Sequence, residues 1–244
     1  MTSNHHEDEV FRKKRVIKNP IKFKIQLNEE QKKAKEEILN HTLTILAGRA
    51  GSGKTLLACQ IALDGVLRRH YEKIIITRPT VSKEEIGFLP GDLREKMDPW
   101  IQPIYQNMYA LYNKEKIEKL IEEGKIEIVP LAFMRGRTFL NSCIIVDEAQ
   151  NVTHEQMEMI ATRIGLGSKM IICGDDHQVD LKSRKESGFR FLHSAARRVK
   201  NMCSITLLQN HRDPIVDDLI LIYEEAEDRG ILRSSSGSSG RTKR

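Results

Sequence analysis

The chain alternates short apolar runs with longer segments in which apolar residues recur at helical spacing. The apolar runs are rich in Ile and are bounded by polar and glycine-containing turns. Such runs predict buried strands, and their alternation with helices is typical of a mostly parallel α/β sheet covered on both faces. The predicted strands are 43–47, 73–77, 126–129, 143–146, 169–173 and 204–208. The predicted helices are 28–39, 54–69, 153–163, 188–199 and 214–227, and Asn28 with Gln31 forms a capping-box pattern at the first.

The pattern predicts one domain, from about residue 25 to residue 230, between two basic ends. Residues 1–24 contain seven Lys and Arg against three acids, and residues 229–244 contain five and no acid, so the net charge of +6 lies in these ends. We interpret residues 1–24 as a basic arm and residues 231–244 as a flexible basic tail. Such ends either bind nucleic-acid phosphates or keep the protein solvated. A second basic cluster, here called the 182–200 cluster, comprises Lys182, Arg184, Lys185, Arg190, Arg197, Arg198 and Lys200.

Composition and hydropathy exclude several protein classes. Hydrophobic residues make up 39% and charged residues 30% of the 244 residues, which excludes collagen-like and low-complexity chains. No apolar run approaches the ~18 residues that a membrane span needs, and the first residues lack the apolar segment of a secretory signal. The four cysteines form no CxxC pair, so neither a zinc site nor a disulfide framework is indicated. We expect a protein of a reducing compartment, the cytoplasm, without a membrane partner.

A glycine-rich loop follows the first predicted strand and leads into a helix. Its sequence matches GxxxxGK[ST], the P-loop pattern, in the strand–loop–helix setting that the pattern requires. Glycines let backbone N–H groups converge on phosphate at a helix N-terminus, where the helix dipole also favours anions. Lys54 then reaches the β- and γ-phosphates and Thr55 places its hydroxyl on Mg²⁺, which predicts ATP and Mg²⁺ as ligands. The predicted nucleotide-binding loop is Gly48, Arg49, Ala50, Gly51, Ser52, Gly53, Lys54 and Thr55.

Acidic residues follow the predicted strand 143–146. An acid at the carboxyl end of a buried parallel strand faces the ligand crevice of an open α/β sheet. Asp147 therefore suits a Walker-B role as a second Mg²⁺ residue, and Glu148 is placed to polarise an attacking water. This pair favours hydrolysis over transfer to a small molecule, because a kinase excludes water from its site.

Two further strand ends carry polar residues that belong to the same edge. Strand 169–173 runs into a GDDHQ turn in which Gln178 either senses the γ-phosphate and orients water or is simply part of a polar turn. Arg212 follows the last strand and is either a residue that stabilises the phosphoryl transition state or part of a surface ion pair.

The order of motifs resembles the PhoH-like proteins, the phosphate-starvation-associated P-loop ATPases. The resemblance rests on LNEEQ, GRAGSGKT, TRP, GFLPGDLREKMDPWIQPIY, FMRGRTF, IIVDEAQN and TRIGLGSKMIICGD, and it covers about residues 27–225. It implies a RecA-like ATPase core related to the motor domain of superfamily 1 helicases, with unwinding of RNA or DNA. It further implies that Gln31 contacts adenine, that Arg78 and Arg137 lie towards nucleic acid or the active site, and that Gln150 couples ATP to the strand. Some relatives have an N-terminal nuclease domain, which we do not expect here.

The sequence leaves the activity open between three readings. The first is an ATPase that acts on RNA or single-stranded DNA as a helicase or translocase. The second is a nucleotide-gated RNA-binding protein without unwinding activity, which shares every motif. The third is a P-loop phosphotransferase.

A homo-oligomer is expected because the chain has one P-loop and no room for a second motor domain. Superfamily 1 motors close ATP between two similar domains, so a neighbouring subunit would supply the second wall. A head-to-tail arrangement closes naturally into a ring, plausibly a hexamer. Arg163 and Arg212 are the candidates for an arginine that acts in trans.

The stretch between the strands 73–77 and 126–129 is long for a simple crossover. It contains Trp100 and three tyrosines, Tyr105, Tyr109 and Tyr112, at helical spacing. Aromatic side chains of this kind either stack on nucleic-acid bases or pack an insertion onto the domain. We expect packing.

Overall fold

The computed structural model describes residues 21–79, 93–181 and 183–229, and in this part of the chain six strands form one parallel sheet. The order across the sheet is β3-β2-β4-β5-β1-β6, and every pair of neighbours is parallel. The predicted α/β fold is therefore confirmed. The strands are β1 Leu43–Gly48, β2 Lys73–Thr77, β3 Ile126–Ile128, β4 Ser142–Val146, β5 Lys169–Gly174 and β6 Met202–Leu207.

The helices largely follow the predicted pattern, with two additions. They are α1 Glu29–Asn40, α2 Lys54–Leu67, α3 Leu93–Leu111, α4 Lys114–Glu122, α5 His154–Ala161, α6 Gly188–Ala195 and α7 Pro214–Asp228. The sequence analysis missed α3 and α4, and it extended α6 across a 3₁₀ turn at Ala196–Arg198. The capping box of Asn28 and Gln31 is present at α1. None of the helices in the described ranges is long and apolar enough to cross a lipid bilayer.

Helices cover both faces of the sheet because successive strand residues point to opposite sides. In β4, Ile145 contacts the cluster formed by α1 to α4, whereas Ile144 contacts the cluster formed by α5 and α6. Both are fully buried, and burial of each such side chain stabilises the fold by about 2 kcal/mol. The sheet is thus enclosed, and only its two edges and its loops remain for ligands.

The aromatic row on α3 packs against this core. Tyr105 is buried, and Tyr109 and Tyr112 are partly buried against the same cluster, as expected for an insertion that packs onto the domain. The side chain of Trp100 lies outside the described residues. Phe23 packs against Tyr112 with the two rings tilted and their centroids 6.0 Å apart, and the Lys24 N–H donates to the Leu111 carbonyl at 2.9 Å. The packed domain thus includes two residues that we had assigned to the basic arm; the rest of that arm up to residue 20, and the tail, lie outside the described residues.

A buried lysine fastens α1 to the sheet. Lys169, the first residue of β5, donates from Nζ to the carbonyls of Ile38, Leu39 and His41 at the end of α1. Burial lowers the pKa of this ammonium group, since the charged form is poorly solvated there. The last carbonyls of a helix have no partner within the helix, so a cation at this position both satisfies them and complements the helix dipole.

Candidate functional site

The parallel sheet brings the carboxyl ends of its strands to one edge, and the P-loop lies there. Gly48, Gly51 and Gly53 have φ angles of +154°, +88° and +81°, which other residues rarely adopt. A Cβ on Gly48 would also lie 2.7 Å from the carbonyl oxygen of Leu207. Glycine is therefore required at both ends of the loop, so that it can turn tightly against β6 and direct its N–H groups towards the N-terminus of α2.

The P-loop lysine is turned back onto its own loop. Lys54 Nζ donates to the carbonyl oxygens of Gly48 at 2.7 Å and Arg49 at 2.9 Å. These carbonyls hold the ammonium group at the mouth of the loop. A phosphate anion at the same place offers a charged acceptor, which forms a stronger hydrogen bond than a neutral carbonyl does.

Thr55 and Asp147 meet at the base of the loop. Thr55 Oγ1 donates to Asp147 Oδ1 at 2.8 Å, so the hydroxyl and the carboxylate predicted to hold Mg²⁺ are adjacent. Burial raises the pKa of Asp147, and the neighbouring Glu148 carboxylate raises it further; the Thr55 hydrogen bond and the Arg78 charge oppose these effects. A buried carboxylate beside a second acid favours a cation. The residues present fit Mg²⁺, which binds to one or two protein oxygens while waters and substrate phosphates fill the other positions.

Glu148 is held in place by two side chains. Its backbone has φ +52°, an uncommon conformation for a non-glycine residue, which directs the side chain away from the path of β4. Gln150 Nε2 donates to Glu148 Oε2 at 2.6 Å, and Arg78 Nη2 lies 3.4 Å from Glu148 Oε1. Gln150 Oε1 also accepts from the backbone N–H of Asp175 at 3.1 Å. Gln150 therefore links the ends of β4 and β5.

Asp175 is the site residue that the sequence analysis missed. Its Oδ2 accepts from the P-loop N–H of Ala50 at 2.9 Å, and its Oδ1 accepts from the His177 N–H at 2.9 Å. For Gln178, which the sequence predicts to sense the γ-phosphate and orient water or to be part of a polar turn, the side chain is exposed and the backbone N–H closes the turn onto the Asp175 carbonyl. A signal was present: Asp175 directly follows its buried strand, as Asp147 follows β4.

A second group of side chains lies beside the P-loop, and it is called the base end because the family resemblance implies that its Gln31 contacts adenine. It joins the start of α1 to the segment after β6. Asn28 Nδ2 and Gln31 Nε2 lie 3.1 Å and 3.3 Å from His211 Nε2. The Glu30 carboxylate accepts from the N–H groups of residues 208 and 209 at 2.8 Å and 3.2 Å. Gln31 also touches the P-loop, because a Cβ on Gly53 would lie 2.6 Å from its Nε2.

The candidate arginines lie at different places. Arg212 covers the P-loop, since a Cβ on Gly51 would lie 2.9 Å from Arg212 Cγ. Arg163 precedes β5, at the amino ends of the strands, and binds the Arg137 carbonyl at 3.4 Å and the Thr162 hydroxyl at 2.9 Å. The structure does not bring Arg163 to the P-loop of its own chain.

Arg137 also lies apart from the P-loop. Its Nη2 donates to Glu127 of the edge strand β3 at 2.8 Å, and its guanidinium stacks on Phe139. The strands β2, β4 and β5 separate this edge from β1. Arg78, in contrast, reaches the active site through Glu148.

An open cavity adjoins the P-loop on the side of α7. It has a volume of about 260 Å³ and is lined by Arg49, Ser52, Leu208, Gln209, Asn210 and Leu221. Next to it, α7 exposes large apolar side chains to solvent, among them Ile215, Ile222 and Tyr223, each about 60% exposed. Exposed apolar surfaces of this kind are frequent at interaction sites.

The 182–200 cluster lies on α6 and the turns at its two ends. The side chains of Arg184, Lys185, Arg190, Arg197, Arg198 and Lys200 are exposed, and Lys182 lies outside the described residues. Phe191 is exposed among them, edge-on to the His154 ring at 5.6 Å.

Comparison with known proteins gives a consistent family. A family model described as PhoH-like protein matches residues 24–224. The chain is 43% identical over 193 residues to a PhoH-like protein of Synechocystis sp., covering 78% of this chain and 59% of the relative. It is 44% identical over 181 residues to a PhoH-like protein of Bacillus subtilis, covering 73% and 57%. The chain thus spans less than two thirds of the length of these relatives.

Two solved structures show a partial similarity. The Pif1 helicase from Candida albicans gives a TM-score of 0.44 at 18% identity, over 82% of this chain and 44% of that one. Bacteroides Pif1 bound to ssDNA gives a TM-score of 0.42 at 16% identity, over 88% of this chain and 52% of that one.

Proposed function

The chain belongs to the PhoH-like protein family, and from this premise we propose that it binds ATP with Mg²⁺ and hydrolyses it to ADP and phosphate. The observation that carries the proposal is the meeting of Thr55 with Asp147, at 2.8 Å, beneath a P-loop whose lysine and neighbouring glutamate face the same edge. A chance glycine-rich turn would have no reason to lie on a buried acid from another strand.

Each residue has a distinct task in the proposed reaction. The P-loop N–H groups and Lys54 bind the phosphates, the lysine leaving its two loop carbonyls as it does so. Thr55 and Asp147 hold Mg²⁺, which neutralises phosphate charge when bound. The Glu148 carboxylate accepts a proton from water while the water oxygen bonds to the γ-phosphorus, and the bond from that phosphorus to the ADP oxygen breaks. Gln150 and Arg78 hold the carboxylate in position for this transfer.

The nucleic-acid partner is proposed to be RNA or single-stranded DNA, with helicase or translocase activity. The exposed 182–200 cluster supports a phosphate-binding surface, and Phe191 within it offers a ring for base stacking. This cluster flanks α6, and α6 begins at the edge of the sheet that carries the proposed active site. A nucleic acid bound to the cluster would therefore lie close to the GDDHQ turn. The basic arm and tail are candidates for the same task.

The alternative functions differ in where the γ-phosphate goes and in whether a nucleic-acid strand is displaced. Release of free phosphate that rises with RNA or single-stranded DNA supports the ATPase and contradicts the phosphotransferase. Displacement of a labelled strand that requires ATP supports a helicase, whereas ATP-dependent binding without displacement supports the nucleotide-gated binding protein. The decisive measurement is the rate of phosphate release across a panel of RNA and DNA strands, with Lys54→Ala as the inactive control.

A homo-oligomer in the form of a hexameric ring is proposed to complete the site. The P-loop cavity is open towards the exposed apolar side chains of α7, so a second copy that covers α7 would also lie against the nucleotide. Arg163 lies at the opposite edge of the sheet, and in a head-to-tail arrangement that edge faces the neighbour's P-loop. Arg212 already covers its own P-loop, which makes Arg163 the better candidate to act in trans.

Mixing two inactive variants tests this arrangement. Glu148→Gln lacks the base and Arg163→Ala lacks the arginine, so a mixed oligomer contains some interfaces with both groups intact. We expect part of the ATPase activity to return on mixing and a complex larger than the monomer by sedimentation. A monomer at micromolar concentration with ATP and RNA present contradicts the proposal.

A further inference from the structure

The imidazole ring of His211 occupies the base end. We infer that this ring mimics a purine and that a nucleotide base must displace it in order to bind. The inference rests on the proposed function, because it assumes that ATP binds with its base near Gln31. It adds to that function a residue, His211, that lowers the affinity for purine nucleotides without touching phosphate.

The orientation of both amide groups at the base end is fixed by the backbone. The Gln31 N–H donates to Asn28 Oδ1 at 2.7 Å, and the Asn28 N–H donates to Gln31 Oε1 at 3.2 Å. This is the capping box that starts α1, and it occupies the amide oxygen of each side chain. The NH₂ groups of both side chains therefore point towards the segment after β6, where Asn28 Nδ2 also donates to Gln209 Oε1 at 2.8 Å.

His211 belongs to that segment and serves as an acceptor. Its Nε2 lies 3.1 Å from Asn28 Nδ2 and 3.3 Å from Gln31 Nε2, and both of these nitrogens are donors. The ring proton is accordingly on Nδ1. An imidazole that presents a bare nitrogen to two N–H donors offers the same shape and lone pair as the five-membered ring of a purine, whose N7 is an acceptor. The ring thus accepts from the Asn28 and Gln31 amides in the way that a purine N7 would.

The segment that carries His211 is tied to the P-loop. The His211 N–H donates to the Gly51 carbonyl at 3.1 Å, and the Arg212 N–H donates to Asn210 Oδ1 at 3.0 Å. Upstream, the Glu30 carboxylate accepts from the N–H groups of residues 208 and 209, so the segment is held at both of these points. A base that removes the ring from Gln31 therefore also moves Arg212 relative to Gly51.

Ligands with and without a purine base test whether His211 occupies the place of that base. Tripolyphosphate reaches the P-loop without a base, so it provides the reference for ATP and GTP. We expect His211→Ala to bind ATP roughly three- to tenfold more tightly than the original protein, the range of one or two weak hydrogen bonds, and to bind tripolyphosphate unchanged. The gain extends to GTP because both purines have N7. His70→Ala, which removes an exposed histidine outside the site, is the matched control and leaves all three affinities unchanged.

A double variant links the effect to the amide. In a Gln31→Ala background, His211→Ala should change ATP affinity less than it does alone, since one of the two donors is gone. Weaker ATP binding by His211→Ala, with tripolyphosphate unchanged, overturns the inference and shows that the ring contacts the base instead of replacing it. Equal gains for ATP and tripolyphosphate also overturn it. Failure of the original protein to bind either ligand overturns the proposed function itself.

Discussion

The phosphate end of the site comprises the P-loop with Asp147, Glu148 and Asp175. These residues follow directly after buried strands. At the base end, by contrast, the start of α1 meets a segment about 180 positions away along the chain, through contacts that are mostly exposed. Asp147 and Asp175 are each 4% exposed, whereas His211 lies at the surface. The proposed phosphate contacts thus follow the strands of a rigid sheet, whereas the proposed base contacts lie on an exposed loop. The difference predicts that substitutions at the two ends affect different measurements.

The largest effect is expected from Glu148→Gln, at the phosphate end. The substitution removes the carboxylate that accepts a proton from water but leaves the phosphate contacts in place. Turnover should therefore fall about 10²–10⁴-fold while ATP still binds. The amide also keeps an oxygen for Gln150. Phosphate release and nucleotide binding, measured separately, check this. Near-normal turnover would show that another group accepts the proton.

Asp175→Asn should have the next largest effect, because one carboxylate oxygen serves the P-loop and the other serves the turn. The two N–H groups of Ala50 and His177 reach different oxygens, and in the amide one of these becomes an NH₂ group that faces an N–H donor, so we expect turnover to fall roughly tenfold. Asp176→Asn is the matched control, since Asp176 pairs with His193 and does not serve the loop. Gln178→Ala tests the sequence prediction that Gln178 serves the γ-phosphate. A larger loss of turnover in Gln178→Ala than in Asp175→Asn favours that prediction.

Lys169→Met should affect the base end through α1. The carbonyls of Ile38, Leu39 and His41 lose their donor, which costs on the order of 2 kcal/mol of unfolding free energy and loosens the helix that carries Gln31. We expect a lower urea midpoint, and a loss of affinity of a few-fold for ATP that exceeds the loss for tripolyphosphate. Lys32→Met, an exposed lysine of the same helix, is the control. Equal losses for both ligands would mean that α1 does not act on the base end alone.

The smallest effect is expected from Asp147→Asn, and it concerns stability. Because the pKa of Asp147 is raised on folding, the ionised carboxylate destabilises the protein at pH values above its folded pKa. The neutral amide removes this cost and still accepts from Thr55, so melting at neutral pH should rise by a few degrees. The gain should shrink as the pH falls through the folded pKa, since the original carboxyl then becomes neutral as well. A melting temperature below that of the original protein at pH 7 contradicts the expectation.

The phosphate end could be predicted from the sequence because its signals are local. A strand, a glycine-rich loop and a helix are consecutive, and the strand before Asp147 is a continuous apolar run. The helices α3 and α4 were harder to predict, since an insertion has no fixed place in the strand–helix alternation. The opening of α3 includes a proline and charged residues that obscure its period.

The sequence by itself determined the parallel fold, the phosphate-binding loop and the acids after β4, because each depends on the periodicity or spacing of nearby residues. Only the tertiary structure decided that Asp175 contacts the loop, since its carboxylate has to reach a backbone N–H 125 positions away along the chain. It also shows that Arg163 and Arg212 lie at opposite sides, because Arg163 precedes β5 whereas Arg212 follows β6. The meeting of His211 with Gln31 depends on the order of strands in the sheet, which places β6 next to β1. No local pattern of residues encodes that neighbour relation.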